Sequence, residues 1–167
     1  MNDAFKYYSN AKVNLGLKIL NKRKDGYHNI HSLFIELNLS DKLVFSPNES
    51  YNLSVEGQCS NQFPLDKNNL ITKAYELMHS KLDSVPIEYS IHVKKNIPLG
   101  SGLGGGSSNA ATTLKTLNKL WNLNLSNSKL EELGISLGAD VPFFIHGGFQ
   151  LAEGLGEILT QEKTDVL

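Results

Sequence analysis

The sequence predicts an α+β fold, a two-layer sandwich in which mixed strands pack on helices. Three observations carry that expectation. Several stretches alternate apolar and polar residues with period two, as half-buried strands do. Longer stretches between them repeat apolar residues at helical spacing. The connections between the first strands are short, which argues for antiparallel neighbours and against a purely parallel dinucleotide-binding sheet. A chain of 167 residues is expected to form one domain with a sizeable core.

The first strand is read at 13–19, where Val13, Leu15, Leu17 and Ile19 alternate with Lys12, Asn14, Gly16 and Lys18. The apolar set is expected to be buried. Lys12 and Asn14 then share the other face, which either is solvated or looks into a site. Residues 21–26 are polar and form a turn, and Tyr27-His28 opens the next strand. Strands follow at 31–39, at 41–45 (ended by Pro47) and at 51–55. Asn68-Asn69-Leu70 opens a helix with Leu70, Ile71, Ala74, Leu77, Met78 and Leu82 on one face. A strand at 87–93 carries Ile87, Tyr89, Ile91 and Val93 on one face and runs through Lys94-Lys95-Asn96 into a glycine-rich loop. The two lysines either attract phosphate or mark an exposed strand end, and the second reading is preferred.

Five of the seven residues from Gly100 to Gly106 are glycine, and an apolar helix-prone run follows at once. A loop without Cβ atoms lets backbone N–H groups approach a polyanion, and the following helix adds free N–H groups and the positive end of its dipole. Ser107 and Ser108 sit where that helix should begin, placed to cap it, to touch phosphate or to help hold a metal. The loop contains Gly100-x-Gly102-x-x-Gly105, but no acidic residue stands about 20 positions on at a strand end, as a dinucleotide site requires. No lysine precedes Ser107, which excludes the Walker pattern.

The helix at 110–121 bears Leu114, Leu117, Leu120 and Trp121. Ser128-x-x-Glu131 reads as a capping box for the next helix, with Leu130, Leu133 and Leu137 inside and Gly138 at its end. Asp140 stands directly after it, beside Val141-Pro142-Phe143-Phe144. A carboxylate in so apolar a setting is costly unless paired, so Asp140 either caps local backbone or does chemistry. Residues 145–152, with Gly147-Gly148, read as a bent strand, 153–157 as a turn, Ile158-Leu159 as a last strand, and 162–167 as frayed.

Net charge is −1, which gives no basis for a nucleic-acid or membrane surface. Cys59 is the lone cysteine, which excludes an internal disulfide and suits a reducing, cytoplasmic setting. Met1 to Lys6 is too polar for a signal peptide, and no run is long enough to span a bilayer.

Pro98-Leu99-Gly100-Ser101-Gly102-Leu103-Gly104-Gly105-Gly106-Ser107-Ser108-Asn109-Ala110-Ala111 resembles the phosphate loop of the GHMP kinases, which phosphorylate small molecules. Ala11-Lys12-Val13-Asn14-Leu15, Asp25-Gly26-Tyr27-His28 and Leu137-Gly138-Ala139-Asp140-Val141-Pro142 add to it. Together they are similar to the branch that phosphorylates a hydroxyl of a cytidyl-diphospho sugar alcohol in non-mevalonate isoprenoid biosynthesis. The resemblance runs from about Tyr8 to about Thr160. It implies the GHMP kinase N-terminal domain, related to a ribosomal protein S5 domain, with ATP and Mg²⁺ as cofactors. It implies that Pro98 to Ser108 hold ATP, with Ser107 near the metal. Lys12 and Asp140 are then catalytic and paired with each other. Asn14, Tyr27, His28 and Phe34 contact the substrate, and the first turn of the helix at Leu70 borders the base. Members of the family continue into a second domain, which this chain is expected to lack. The face that meets it should be exposed and apolar and so favour self-association. The alternatives are a GHMP kinase for another alcohol, a nucleotide-binding fragment without turnover, and an S5-like RNA-binding module.

Overall fold

The computed structural model describes residues 4–82, 86–156 and 158–163. Strands β1 (Phe5–Lys22), β2 (His28–Asn48) and β3 (Asn52–Glu56) come first, followed by α1 (Leu70–His79) and β4 (Glu88–Lys94). Helices α2 (Gly105–Leu120), α3 (Asn127–Ile135) and α4 (Val141–His146) follow, then β5 (Phe149–Gly154) and β6 (Ile158–Gln161). The sheet has the order β3-β4-β2-β5-β6, with β1 paired to the other side of β2. The predicted α+β class stands: a mixed sheet carries a helical layer.

Strand β2 organises the sheet. Its first half pairs with β5 from Ile30 to Ile35, its second half pairs with β4 from Lys42 to Asn48, and β1 runs antiparallel along its other edge. The predicted break between 39 and 41 does not occur. Residues 39–41 contain no glycine or proline to turn the chain, and the β1 ladder continues through Asn10↔Ser40 and Ser9↔Asp41. The expectation that the strand at 51–55 lies antiparallel beside the strand before it is corrected: β3 pairs instead with β4, in parallel. Helix α1 lies between the two in the chain, and a crossover of that length returns the strand in the same direction.

The core forms where β2 and β4 meet the helices. Leu43 and Phe45 of β2 and Ile91 and Val93 of β4 pack with Ile71, Ala74 and Met78 of α1 and with Ala110, Ala111, Leu114 and Leu117 of α2. Asn69 caps α1, its side-chain oxygen accepting the Ile71 N–H at 2.8 Å. Helix α3 is capped by Ser126, which accepts the Lys129 N–H, and not by Ser128 as the capping-box reading has it. The segment 141–146 is helical where a bent strand was expected to begin at 145. Pro142 in its first turn suits a helix start, and Gly147 (φ +70°) ends it.

The predicted burial of Leu15, Leu17 and Ile19 is overturned, for they are 61%, 56% and 63% exposed. Every residue from Asn14 to His28 is exposed, because this part of the β1–β2 ribbon runs out beyond the helical layer. Alternation places the three side chains on one face, but no helix covers that face.

Leu114 has no exposed surface at the centre of the helical layer. Leu114→Ala is expected to cost about 2–5 kcal/mol. The check is a lowered urea midpoint at unchanged slope.

Candidate active site

The glycine loop closes between two fixed points. Helix α2 begins at Gly105, earlier than the sequence suggested, and its first internal bond is Ser108 N–H to the Gly104 carbonyl at 2.9 Å. The N–H groups of Gly105, Gly106 and Ser107 therefore have no acceptor within the helix. Ser107 and Ser108 lie inside the first turns and do not cap. Gly104 takes the cap position in the left-handed region (φ +71°), where its carbonyl can open the helix. A Cβ added there would meet the Phe144 ring at 2.8 Å and the Lys12 Cγ at 3.1 Å, so glycine is required on both counts.

The loop from Pro98 to Ser107, with Leu70, Lys95 and Asp140, lines an open hollow of about 330 Å³. Ser107 lines it. Ser108 does not, because its hydroxyl accepts from Ser9 Oγ at 2.8 Å and is buried under the helix. A wider depression, about 600 Å³, lies by Asn10, Glu36 and Gly148. There Glu36 already accepts the Gly148 N–H. The glycine hollow is the one equipped for an anion.

Lys12 of β1 stands beside this hollow, in contact with two residues that line it, Leu103 and Asp140. The β1–β2 register slips on both sides of it, between Asn10 and Lys12 and between Asn14 and Gly16. Such bulges re-aim a side chain. The residue is only 5% exposed, and its N–H donates to the Leu103 carbonyl at 2.9 Å, tying β1 to the loop. Its Nζ donates to Asn14 Oδ1 at 2.7 Å, stands 4.4 Å from the centroid of the Phe34 ring, and lies 3.4 Å from Asp140 Oδ2. A cation over an aromatic face and beside a carboxylate is stabilised by both. Phe34 is buried edge-on against Phe143, so it serves both the core and the Lys12 environment.

Asp140 occupies the N-cap position of α4, yet its side chain makes no capping bond. The carboxylate is 37% exposed and turned to Lys12. The structure thus brings together Lys12, Asn14, Phe34, Asp140 and the loop, from four separate stretches of chain. Tyr27 and His28 do not join them. They stand exposed at the tip of the β1–β2 ribbon, where Lys22 pairs with His28.

Three supporting residues escaped the sequence reading. Lys95, expected to mark an exposed strand end, is 1% exposed and pairs with the fully buried Asp41 at 2.6 Å. Their signal was parity: Asp41 is in step with Leu43 and Phe45, and Lys95 with Tyr89, Ile91 and Val93, all core residues. Lys115 of α2 donates to the Phe144 carbonyl at 2.8 Å and to Ile145, holding the end of the helix that Asp140 begins. Burial pushes its ammonium below the ordinary lysine value, and the nearby Glu36 carboxylate opposes that. No sequence pattern marked Lys115, whose partner carbonyls lie about 30 residues away.

Among the described residues, no helix is long and apolar enough to cross a membrane. Residues 69–148 match the family described as GHMP kinases N terminal domain. The chain is 48% identical over 156 residues to a 4-diphosphocytidyl-2-C-methyl-D-erythritol kinase of Francisella tularensis subsp. holarctica, covering 93% of this chain and 56% of that protein. It is 46% identical over 160 residues to the protein of that name from Prochlorococcus marinus, covering 96% and 50%. The chain spans about half the length of the curated relatives it matches. Among solved structures, a 4-(cytidine 5'-diphospho)-2C-methyl-D-erythritol kinase superposes with a TM-score of 0.79 at 40% identity, covering 93% of this chain and 54% of that one. A homoserine kinase from Cytophaga hutchinsonii (TM-score 0.66, 18% identity, covering 91% and 49%) shares the fold.

Crowding at Gly104 can be separated from its backbone requirement by comparison with Gly102, which is also left-handed (φ +76°) but has open space where a Cβ would go. Gly102→Ala is expected to lose about 1–2 kcal/mol. Gly104→Ala should lose more, read as a larger fall in melting temperature.

Proposed function

We propose that this chain, which carries a GHMP kinase N-terminal domain, holds the ATP-binding and phosphoryl-transfer site of a 4-diphosphocytidyl-2-C-methyl-D-erythritol kinase. The observation that carries the reading is the Lys12–Asp140 contact at 3.4 Å, placed at the hollow that the glycine loop lines. Phosphoryl transfer asks for positioning and charge compensation more than for covalent catalysis. The loop from Pro98 to Ser107 cradles the ATP phosphates with backbone N–H groups. Asp140 orients the acceptor hydroxyl and takes its proton. Lys12 compensates charge on the transferred group and holds the Asp140 carboxylate in place through their 3.4 Å contact. Asn14 holds Lys12 and borders the acceptor, with Phe34 behind it. Tyr27 and His28 present an aromatic surface and hydrogen-bonding groups to the cytosine end. Being exposed, they are free to do so.

Ser107 and Asp140 supply hard oxygen atoms at the same hollow, a donor set that suits Mg²⁺. That ion draws most of its coordination from phosphate and water and supplies charge neutralisation when bound.

The exposed row of Leu15, Leu17 and Ile19 offers an apolar face for contact with another copy of the chain. Light scattering over a wide concentration range is expected to show growing mass, and Leu17→Lys to reduce it.

The functional reading is tested by ADP release from MgATP with and without 4-diphosphocytidyl-2-C-methyl-D-erythritol. Substrate-dependent release is expected. Asp140→Asn should leave nucleotide binding intact and lower turnover by at least ~100-fold. Near-normal turnover in that variant would remove the base assignment. Release with homoserine or mevalonate in place of the cytidyl substrate would reassign the acceptor.

A further inference from the structure

The buried pair Asp41–Lys95 lies outside the reacting groups, yet it touches both ends of the glycine loop. Both carboxylate oxygens of Asp41 are fully engaged. Oδ1 accepts the Asn96 N–H at 2.8 Å and the Ile97 N–H at 2.9 Å. Oδ2 accepts from Lys95 Nζ at 2.6 Å and from Asn109 Nδ2 at 3.1 Å. Lys95 Nζ also donates to the Ile97 carbonyl at 2.5 Å. Ile97 is therefore fixed through its N–H and its carbonyl just before the loop begins, and Asn109 is fixed just after it ends. A Cβ on Gly105 would meet Ile97 Cγ2 at 2.9 Å and Lys95 Nζ at 3.2 Å, so the first turn of α2 sits directly on this pair.

Between these anchors the loop is tied once to the sheet, at the Leu103 carbonyl, which accepts the Lys12 N–H at 2.9 Å, and has little else to hold it. Pro98 to Gly102 are exposed. The internal bonds are those of Ser101 Oγ to the Pro98 carbonyl and of Leu103 N–H to Ser101 Oγ, the latter long at 3.4 Å. A cradle of backbone N–H groups binds an anion well only if its spacing is set beforehand. From this we infer that Asp41, with Lys95 and Asn109, is a positioning residue for nucleotide. The network sets the distance between the two ends of the glycine loop, so that its loss weakens ATP binding while leaving the step after binding unchanged. The nucleotide part of this inference rests on the function proposed above.

Two variants test it. Asp41→Asn keeps the shape but leaves Lys95 without a countercharge. Asn109→Ala leaves the ion pair whole, cuts the tie to α2, and also removes Asn109 Oδ1, a buried oxygen with no hydrogen-bond partner. Asn109→Ala is therefore the variant expected to fold normally. Two readouts are taken. Hydrogen exchange without ligand should rise across 96–108 in both variants while the β4 amides stay protected. Titration with ATP should show affinity lower by about tenfold in Asp41→Asn, the scale of one charge-assisted hydrogen bond. In turnover, KM for ATP should rise and kcat at saturation should not change.

The inference is overturned if exchange in the loop of Asn109→Ala matches the unaltered chain, or if it rises equally over the whole sheet. It is also overturned if Asp41→Asn binds ATP as the unaltered chain does. An unaltered chain that binds no ATP would instead remove the proposed function. The exchange comparison would still decide whether the pair fixes the loop.

Discussion

One carboxylate, that of Asp41, is the junction on which the arrangement depends. At this point β2 has left its partner β5, which pairs as far as Ile35, and has not yet met β4, which pairs from Lys42. Backbone groups in such a gap need partners, because a buried N–H without one costs free energy comparable to a lost hydrogen bond. Asp41 supplies them, standing in for a strand toward Asn96 and Ile97. Glu36 does the same at the other end of the gap, accepting the Gly148 N–H. Burying Asp41 is tolerable because Lys95 and Asn109 complete its hydrogen bonding. Removing one partner of such a pair usually costs about 3–5 kcal/mol.

The gap is what gives the molecule a place for a site. Where β4 and β5 splay away from β2, the first turn of α2 drops onto the sheet. It is stitched to adjacent ladder positions, Ser108 to Ser9 and Asn109 to Asp41. Lys12, beside the bulges of β1, is brought against Gly104 at the start of that helix. Helix α4 completes the group from the far side, with Lys115 holding its end and Phe144 filling the space beside Gly104. The rigid parts lie below and the exposed loop above. That division suits a loop whose backbone must be shaped before an anion arrives.

Long β2 also explains the exposed ribbon. A strand of 21 residues outruns the helical layer, so its outer part and that of β1 keep hydrogen-bonded order without a cover. Tyr27, His28 and the row of Leu15, Leu17 and Ile19 are displayed there. The same ladder that fixes Lys12 therefore carries a second chemical surface well away from it.

Much of this was legible in the residues. The glycine density followed by an apolar helix marked the loop as a candidate anion site, and Asp140 stood out as an acid close to glycine and Val-Pro-Phe-Phe. Helical spacing gave α1 and α2, since a stripe on a helix needs only local information. Other features were not local. Strand β2 was divided because its partners change midway, and a partner change leaves no mark in one strand's alternation. Residues 141–144 were given no element and 145–146 were placed in a strand, because six residues are too few for a helical period to show. Leu15, Leu17 and Ile19 alternate as buried residues do, and only the extent of the helical layer leaves them exposed. Asp41 and Lys95 sat in step with core residues, but their pairing across 54 positions could be read only once β2 and β4 lay side by side. By itself the sequence determined the class of fold and the glycine loop, and the resemblance it carries pointed to the two charged groups that face each other. The tertiary structure alone decided which strands meet, which apolar faces are covered and what holds the loop, because each depends on contacts between residues far apart in the chain.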